Sequence, residues 1–286
     1  MSRPSVSLEE RRRAFAESLR RSAPIRDPRV VAAFATVPRE AFLGPPPWRI
    51  LSSTGRRLVD DPAELYEDVL VEIDATRGIN NGEPQLWAFL FDRLRVVPGE
   101  RALHVGAGTG YYTAILAELV GPEGRVTALE IEADLAARAR ANLRPWPWVD
   151  VQEGDGATAD PGPIDVVVAS AGATHPSPIW LDRLRDGGRI VFPLTDDWGR
   201  GAFIRITRRG RQFEAACLCG TAIYPCAGLR DPEASERLGR AIAHDRDGLW
   251  AIRALHRGAP PADARTWYVG PGFWLETGPS RPPQPN

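Results

Sequence analysis

The stretch that most constrains this chain is RALHVGAGTGYYT, Arg101 to Thr113. Ala102-Leu103-His104-Val105 is a short apolar run closed by glycine, the pattern of a buried parallel strand. Gly106, Gly108 and Gly110 follow at once, and Tyr111 to Leu119 carry helical periodicity. A strand, a glycine turn and a helix form the nucleotide-binding start of an open α/β sheet. Glycine lets the backbone turn sharply and lets a ligand approach with no Cβ in the way. A dinucleotide fingerprint spaces its glycines Gly-x-Gly-x-x-Gly. Here the third arrives one residue early, and Tyr111 fills the dinucleotide position. With no phosphate-binding lysine nearby, such a turn suits a nucleoside better than a pyrophosphate. Taken alone, Gly-x-Gly also fits an ordinary tight turn.

Two acids sharpen the reading. Arg125 to Glu130 reads as a second buried strand, and Glu130 lies twenty residues past Gly110. A carboxylate at that place accepts hydrogen bonds from ribose hydroxyls. Val149 to Gln152 is a third strand pattern, followed by Glu153-Gly154-Asp155-Gly156. Asp155 between glycines fits an acceptor for an adenine amino group, and Asp-Gly also fits a plain turn. Ile164 to Ser170 is a fourth strand. In this order the signals resemble the Class I S-adenosylmethionine-dependent methyltransferases.

Further segments narrow the resemblance. They are Val37-Pro38-Arg39-Glu40-Ala41-Phe42, Tyr66-Glu67-Asp68, the loop before Pro84, the segment His104 to Ala114, Gly154-Asp155-Gly156, and Leu184 with Gly187-Gly188-Arg189-Ile190-Val191 and Pro193. Together, from about residue 8 to 225, they resemble the protein-L-isoaspartate O-methyltransferase family. The resemblance implies a Rossmann-like seven-stranded sheet with helices on both faces, an antiparallel C-terminal hairpin, N-terminal helices and a C-terminal extension. It implies S-adenosylmethionine as cofactor, held by Gly106, Ala107, Gly108, Thr109, Gly110, Glu130, Asp155 and Gly156. The family carries an Ile-Ser-x-Pro loop whose serine lies beside the methyl donor and the substrate carboxylate. This chain has Asn80-Asn81-Gly82-Glu83-Pro84, with Gly82 at the serine position. The catalytic candidates are therefore Asn80, Asn81 and Gly82, with either asparagine as substitute donor. The missing hydroxyl predicts slow turnover of ordinary isoaspartyl peptides and room for a bulkier carboxylate.

Composition bounds the alternatives. With 286 residues, 43% of them hydrophobic, the chain can bury one sizeable core plus extensions. Its net charge of −1 offers no general field for nucleic acid. All 36 basic residues are arginine, which excludes a P-loop lysine and Schiff-base chemistry. Cys217, Cys219 and Cys226 lack a fourth metal ligand and read as small side chains in a reducing cytoplasm. No metal site is expected. No apolar run is long enough for a membrane span, and no secretory h-region is read at the N-terminus.

The organisation expected is an N-terminal helical and substrate-loop region over 1–84, the cofactor domain over 85–228, an extension over 229–277 and a disordered tail over 278–286. Ser7 with Glu10 predicts a capped first helix, and Asp27-Pro28 opens a second. Residues 51 to 65 read as loop. A helix over 85–94 shows Leu86, Phe89, Leu90 and Leu94 on one face. Pro145-Trp146-Pro147-Trp148 ends a helix, its tryptophans serving packing rather than base stacking. His175 stands at a strand end and is the histidine best placed for acid–base work, whereas His104 reads as a core histidine. Residues 202–207 and 212–218 form a hairpin that closes the sheet. Gly248 to His256 reads as helix, and 267–275 as a hairpin turning at Gly270-Pro271-Gly272.

The function these readings imply is esterification of a protein or peptide carboxylate, isoaspartyl or a modified acceptor. Little acid or base is needed, which fits a chain with no visible catalytic dyad. The alternatives are a non-catalytic cofactor-binding module and a methyltransferase of a small molecule. A nicotinamide oxidoreductase is disfavoured by Tyr111 and by about 100 residues ahead of the first sheet strand.

Overall fold

Ser7 sets the first element. Its hydroxyl accepts from the Glu10 N–H at 3.2 Å, and the Glu10 carboxylate accepts from the Ser7 N–H at 2.8 Å. This capping box starts α1 (Leu8–Ser22), and Asp27 caps α2 (Pro28–Thr36). The computed structural model describes residues 6–52, 55–223 and 227–278, so Cys226 and the tail from 279 lie outside the described residues. Next come β1 (Trp48–Ser52) and β2 (Gly55–Val59), an antiparallel pair whose residues from Leu51 onward the sequence reads as loop. Four of the five residues of β2 face solvent, Arg56 and Arg57 among them, so no apolar alternation announces the strand. There follow β3 (Leu70–Asp74), β4 (Ile79–Asn80), α3 (Pro84–Leu94), β5 (Arg101–Val105), α4 (Tyr111–Val120), β6 (Arg125–Glu130), α5 (Ala133–Asn142), β7 (Val149–Glu153) and β8 (Ile164–Ala169). The chain continues through α6 (Pro178–Arg183), β9 (Leu184–Thr195), β10 (Arg200–Arg209), β11 (Gln212–Ala222), α7 (Pro232–His244), β12 (Ile252–Arg257), β13 (Thr266–Gly270) and β14 (Phe273–Thr277).

The described residues fall into two compact units. One holds the chain up to Glu100 together with Ala107–Glu153. Its small antiparallel sheet runs β2-β1-β3-β4 over a core of Leu43, Trp48, Ile50, Leu65 and Val71. β6 and β7 pair in parallel, from Val126 opposite Val149 to Glu130 opposite Glu153. The N-terminal helices dock on aromatic rings: Phe15 lies 5.9 Å from Tyr66, and Phe34 lies 6.3 Å from Tyr111. Asp92, buried on α3, accepts from the N–H groups of Arg26 at 2.6 Å and Asp27 at 2.8 Å. The face that α3 buries is Trp87, Leu90, Phe91 and Leu94. That corrects the sequence reading, for Leu86 and Phe89 stay half-buried. Trp146 and Trp148 pack, their indole N–H groups donating to Glu118 and to the Ala117 carbonyl.

The second unit holds Arg101–Gly106 and the chain from Gly154 onward. Here β5, β8 and β9 are parallel neighbours, with Val105 opposite Ala169 and Val168 opposite Val191. β10 and β11 continue the sheet antiparallel. The hairpin does not close it, however, because β12, β14 and β13 add three further strands. Residues 252–257 form the first of these rather than a helix. Leu255 is buried between Phe213 on one side and Leu275 on the other, and cross-strand packing overrides the local pattern. Among the described residues no helix is long and apolar enough to cross a membrane.

Candidate active site

In the first unit the glycine turn and the strand-end acid meet. The Gly108 N–H donates to Glu130 Oε2 at 2.6 Å, and the Glu132 N–H donates to Oε1 at 3.1 Å. Glu130 is only 6% exposed. Burial raises its pKa against the pull of backbone N–H donors from Glu132, Gly108 and Ile131. The Ala107 N–H donates to the Leu129 carbonyl at 3.1 Å and ties the turn to β6. Gly108 has φ +57°, and a Cβ there would meet nothing within 4 Å, so one side of the turn is open. Gly110, at φ +97°, precedes α4, and a Cβ there would stand 2.9 Å from Leu143 Cδ1. Among the described residues the buried hydroxyls of Thr109 and Tyr111 have no hydrogen-bond partner. Such orphans in a native fold ask for an explanation. An acid folded onto an open glycine turn, with two unsatisfied hydroxyls in the same segment, fits a nucleoside that brings its own hydroxyls and amines.

The loop from Asn80 to Gly82 lies in the same unit and is tied down on several sides. Asn80 Oδ1 accepts from the Gly82 N–H at 2.8 Å, and the Asn81 N–H donates to the Val71 carbonyl at 2.8 Å. Asn81 is buried, its Oδ1 taken by Arg39 Nε at 3.0 Å. Arg39 is 0% exposed and also donates to the carbonyls of Leu65, Glu67, Val69 and Gly82. Among the described residues its hydrogen-bond partners are all neutral oxygens. Tyr112, two residues past the glycine turn, donates its hydroxyl to the Gly82 carbonyl at 3.1 Å. The loop is thereby joined to the start of α4. The room expected at Gly82 is filled: a Cβ there would stand 2.6 Å from Trp87 Nε1 and 3.3 Å from Tyr112 Cε2, at φ +58°.

The remaining candidates lie in the second unit. Gly106, at φ +76°, has its open side toward Ser170, whose Cβ would be 3.6 Å from an added Cβ. Asp155 Oδ1 accepts from the Ala157 N–H at 2.8 Å, an Asx turn, and its carboxylate lies against Gly228. Gly156 is packed so tightly on Val105 that a Cβ would come within 2.3 Å, and its carbonyl accepts from Trp180 Nε1 at 2.8 Å. His175 is half-buried, with Nδ1 2.9 Å from the Thr174 hydroxyl, and burial lowers its pKa against the pull of Asp231. Burial pushes the Cys217 thiol up to about 12 and Cys219 up to about 11, so both stay protonated.

The profile of the protein-L-isoaspartate(D-aspartate) O-methyltransferase family matches residues 10–225. The chain belongs to the protein-L-isoaspartate O-methyltransferase family. A member from Rhodopseudomonas palustris (strain ATCC BAA-98 / CGA009) is 34% identical over 218 residues, which cover 76% of this chain and 93% of that protein. One from Pelobacter propionicus is 34% identical over 234 residues, covering 80% and 96%. A solved protein-L-isoaspartate O-methyltransferase superposes with TM-score 0.65 at 17% identity, over 94% of this chain and 88% of its own. A candidate enzyme of the same kind from Plasmodium falciparum, solved in complex with S-adenosyl-L-homocysteine, gives TM-score 0.62 at 20% identity, over 76% of this chain and 98% of its own. These likenesses fix the fold as the family's Rossmann-like α/β methyltransferase fold.

Sequence reasoning missed Arg39, Trp87 and Tyr112. Arg39 lies in the Val37–Phe42 segment that carries the resemblance, but nothing in the segment gives it a role at the site. Trp87 fell outside the helix face read from periodicity. Tyr112 lies two residues past the glycine turn, and that closeness is its one signal.

Proposed function

We propose that this chain is an S-adenosylmethionine-dependent O-methyltransferase that esterifies the isoaspartyl carboxylate of a protein or peptide. One observation carries the reading: the glycine turn bound to Glu130 and the Asn80–Gly82 loop are joined through Tyr112 in one compact unit. Glu130 would accept from ribose hydroxyls, with Gly106 to Gly110 as the turn beneath. Asp155, whose Oδ1 accepts from the Ala157 N–H, would accept from an adenine amino group, and Gly156 supports that turn by packing. Bound S-adenosylmethionine supplies an electrophilic methyl group. The chain's task is to hold an ionised carboxylate beside it, aligned and away from water. The Asn80–Gly82 loop would border that carboxylate. Behind it Arg39 contributes a buried positive charge held by neutral oxygens, which favours an anion at the loop. No general base is required, since an isoaspartyl carboxyl is ionised at neutral pH. We place the protein in a reducing cytoplasm, where Cys217 and Cys219 stay free.

Calorimetry tests the cofactor half of this reading. S-adenosylmethionine and S-adenosylhomocysteine should bind and NAD should not. Glu130→Ala should weaken binding by about 1–3 kcal/mol, the scale of hydrogen bonds to a charged group. Unchanged affinity in that variant would remove Glu130 from the site.

A further inference from the structure

Gly228 is a glycine that its own backbone does not require. Its φ lies outside the left-handed region, so other residues can adopt the same conformation. The residue is exposed, yet an ideal Cβ there would come 2.3 Å from Asp155 Oδ1, 2.4 Å from Oδ2 and 2.6 Å from Cγ. What forbids a side chain at 228 is therefore the Asp155 carboxylate. Both segments are held from behind. Gly228 belongs to a single helical turn, Ala227–Leu229, beyond the last residue that the family profile matches. Leu229 is buried, and its carbonyl accepts from the Thr174 N–H at 2.9 Å and the Thr174 hydroxyl at 3.2 Å. Arg230 donates to the carbonyls of Gly172 at 3.3 Å and Thr195 at 2.8 Å, and the Asp231 N–H donates to Thr174 Oγ1 at 3.1 Å. On the other side, the Ala157 N–H donates to Asp155 Oδ1 at 2.8 Å. The carbonyls of Ala157 and Gly156 accept from Ser177 Oγ at 2.6 Å and Trp180 Nε1 at 2.8 Å. Between these two anchored segments, the carboxylate is the part that can turn.

We propose that Gly228 is a positioning residue of the cofactor site: its bare Cα, together with the Ala157 N–H, sets the direction in which Asp155 presents its carboxylate to the adenine amino group. This inference rests on Asp155 as the adenine acceptor, as proposed above. It explains why residue 228 is glycine although its backbone suits any residue. A methyl group there turns the carboxylate and breaks its bond to Ala157, while the backbone on either side stays in place. By this assignment the C-terminal extension takes part in recognising the nucleoside.

The test is calorimetric binding to the full chain as wild type, Gly228→Ala, Asp155→Ala and the double variant Gly228→Ala/Asp155→Ala. Two probes are used: S-adenosylhomocysteine and S-inosylhomocysteine, in which an oxygen replaces the adenine amino group. Wild type should favour the adenine compound roughly 10- to 100-fold, the scale of a hydrogen bond to a carboxylate. Gly228→Ala should bind S-adenosylhomocysteine about 10-fold more weakly and lose most of that preference. A purely structural defect would weaken both probes alike and leave the ratio unchanged. In the Asp155→Ala background no carboxylate fills the space, and adding Gly228→Ala should change neither affinity. Wild-type affinity and ratio in Gly228→Ala, an equal loss for both probes, or a further loss in the double variant would overturn the assignment. Equal binding of the two probes by wild type would remove Asp155 as the adenine acceptor and this inference with it, leaving methyl transfer standing. A wild type that binds neither probe overturns the proposed function itself.

Discussion

His104 shows how a single residue couples the sheet to pH. It is buried in β5, with Nε2 2.8 Å from the Ser170 hydroxyl, and burial pulls its pKa down to about 4. The unfolded chain holds a histidine near 6.5. Between those values the unfolded state binds a proton that the folded state refuses, so stability falls as pH drops through that window. The whole shift corresponds to about 3 kcal/mol. Urea denaturation at pH 7 and pH 4.5 should show a larger loss in wild type than in His104→Asn, and equal losses would contradict this. At the same scale, legibility in the sequence followed chain distance. Gly108 and Glu130 were readable because a strand-turn-helix-strand unit fixes their separation. Arg39 reaches Asn81 across 42 residues, a contact that no local pattern encodes.

Among the elements, the N-terminal helices are bound into the first unit by rings and by one buried acid. Phe34 and Phe42 lie against Tyr111, the residue that opens α4, while Asp92 holds the Arg26 and Asp27 amides. Removing residues 1–45 takes Phe34 and Phe42 off Tyr111 and leaves the buried Asp92 carboxylate with Arg93 but without the two amides, a combination costing several kcal/mol. The fragment 46–286 should be insoluble. A soluble fragment with a cooperative unfolding transition would show that the helices are dispensable. Asp92→Ala is the milder probe and should cost about 1–3 kcal/mol by leaving two amides unpaired. Elements with caps or buried runs were legible: α1 through Ser7 and Glu10, β5 and β8 through continuous apolar residues. β2 and β12 were not, because arginines and His256 cover their solvent sides and their strand character comes from pairing with distant partners.

For the whole molecule, the family profile matches up to residue 225, while the structural likeness spans 94% of the chain. Strand pairing explains the difference. β12, β13 and β14 need strand pairing, a few buried apolar residues and a Gly-Pro-Gly turn rather than particular side chains, so their fold outlasts their sequence. The central claim concerns chemistry, and one measurement addresses it. The protein is incubated with methyl-labelled S-adenosylmethionine and either an isoaspartyl peptide or the normal aspartyl peptide of the same sequence. Mild base is added, and volatile label is collected. The account predicts labelled methanol from the isoaspartyl peptide and almost none from its aspartyl counterpart. Base-stable label, or no label on any carboxylate although the cofactor binds, would contradict it.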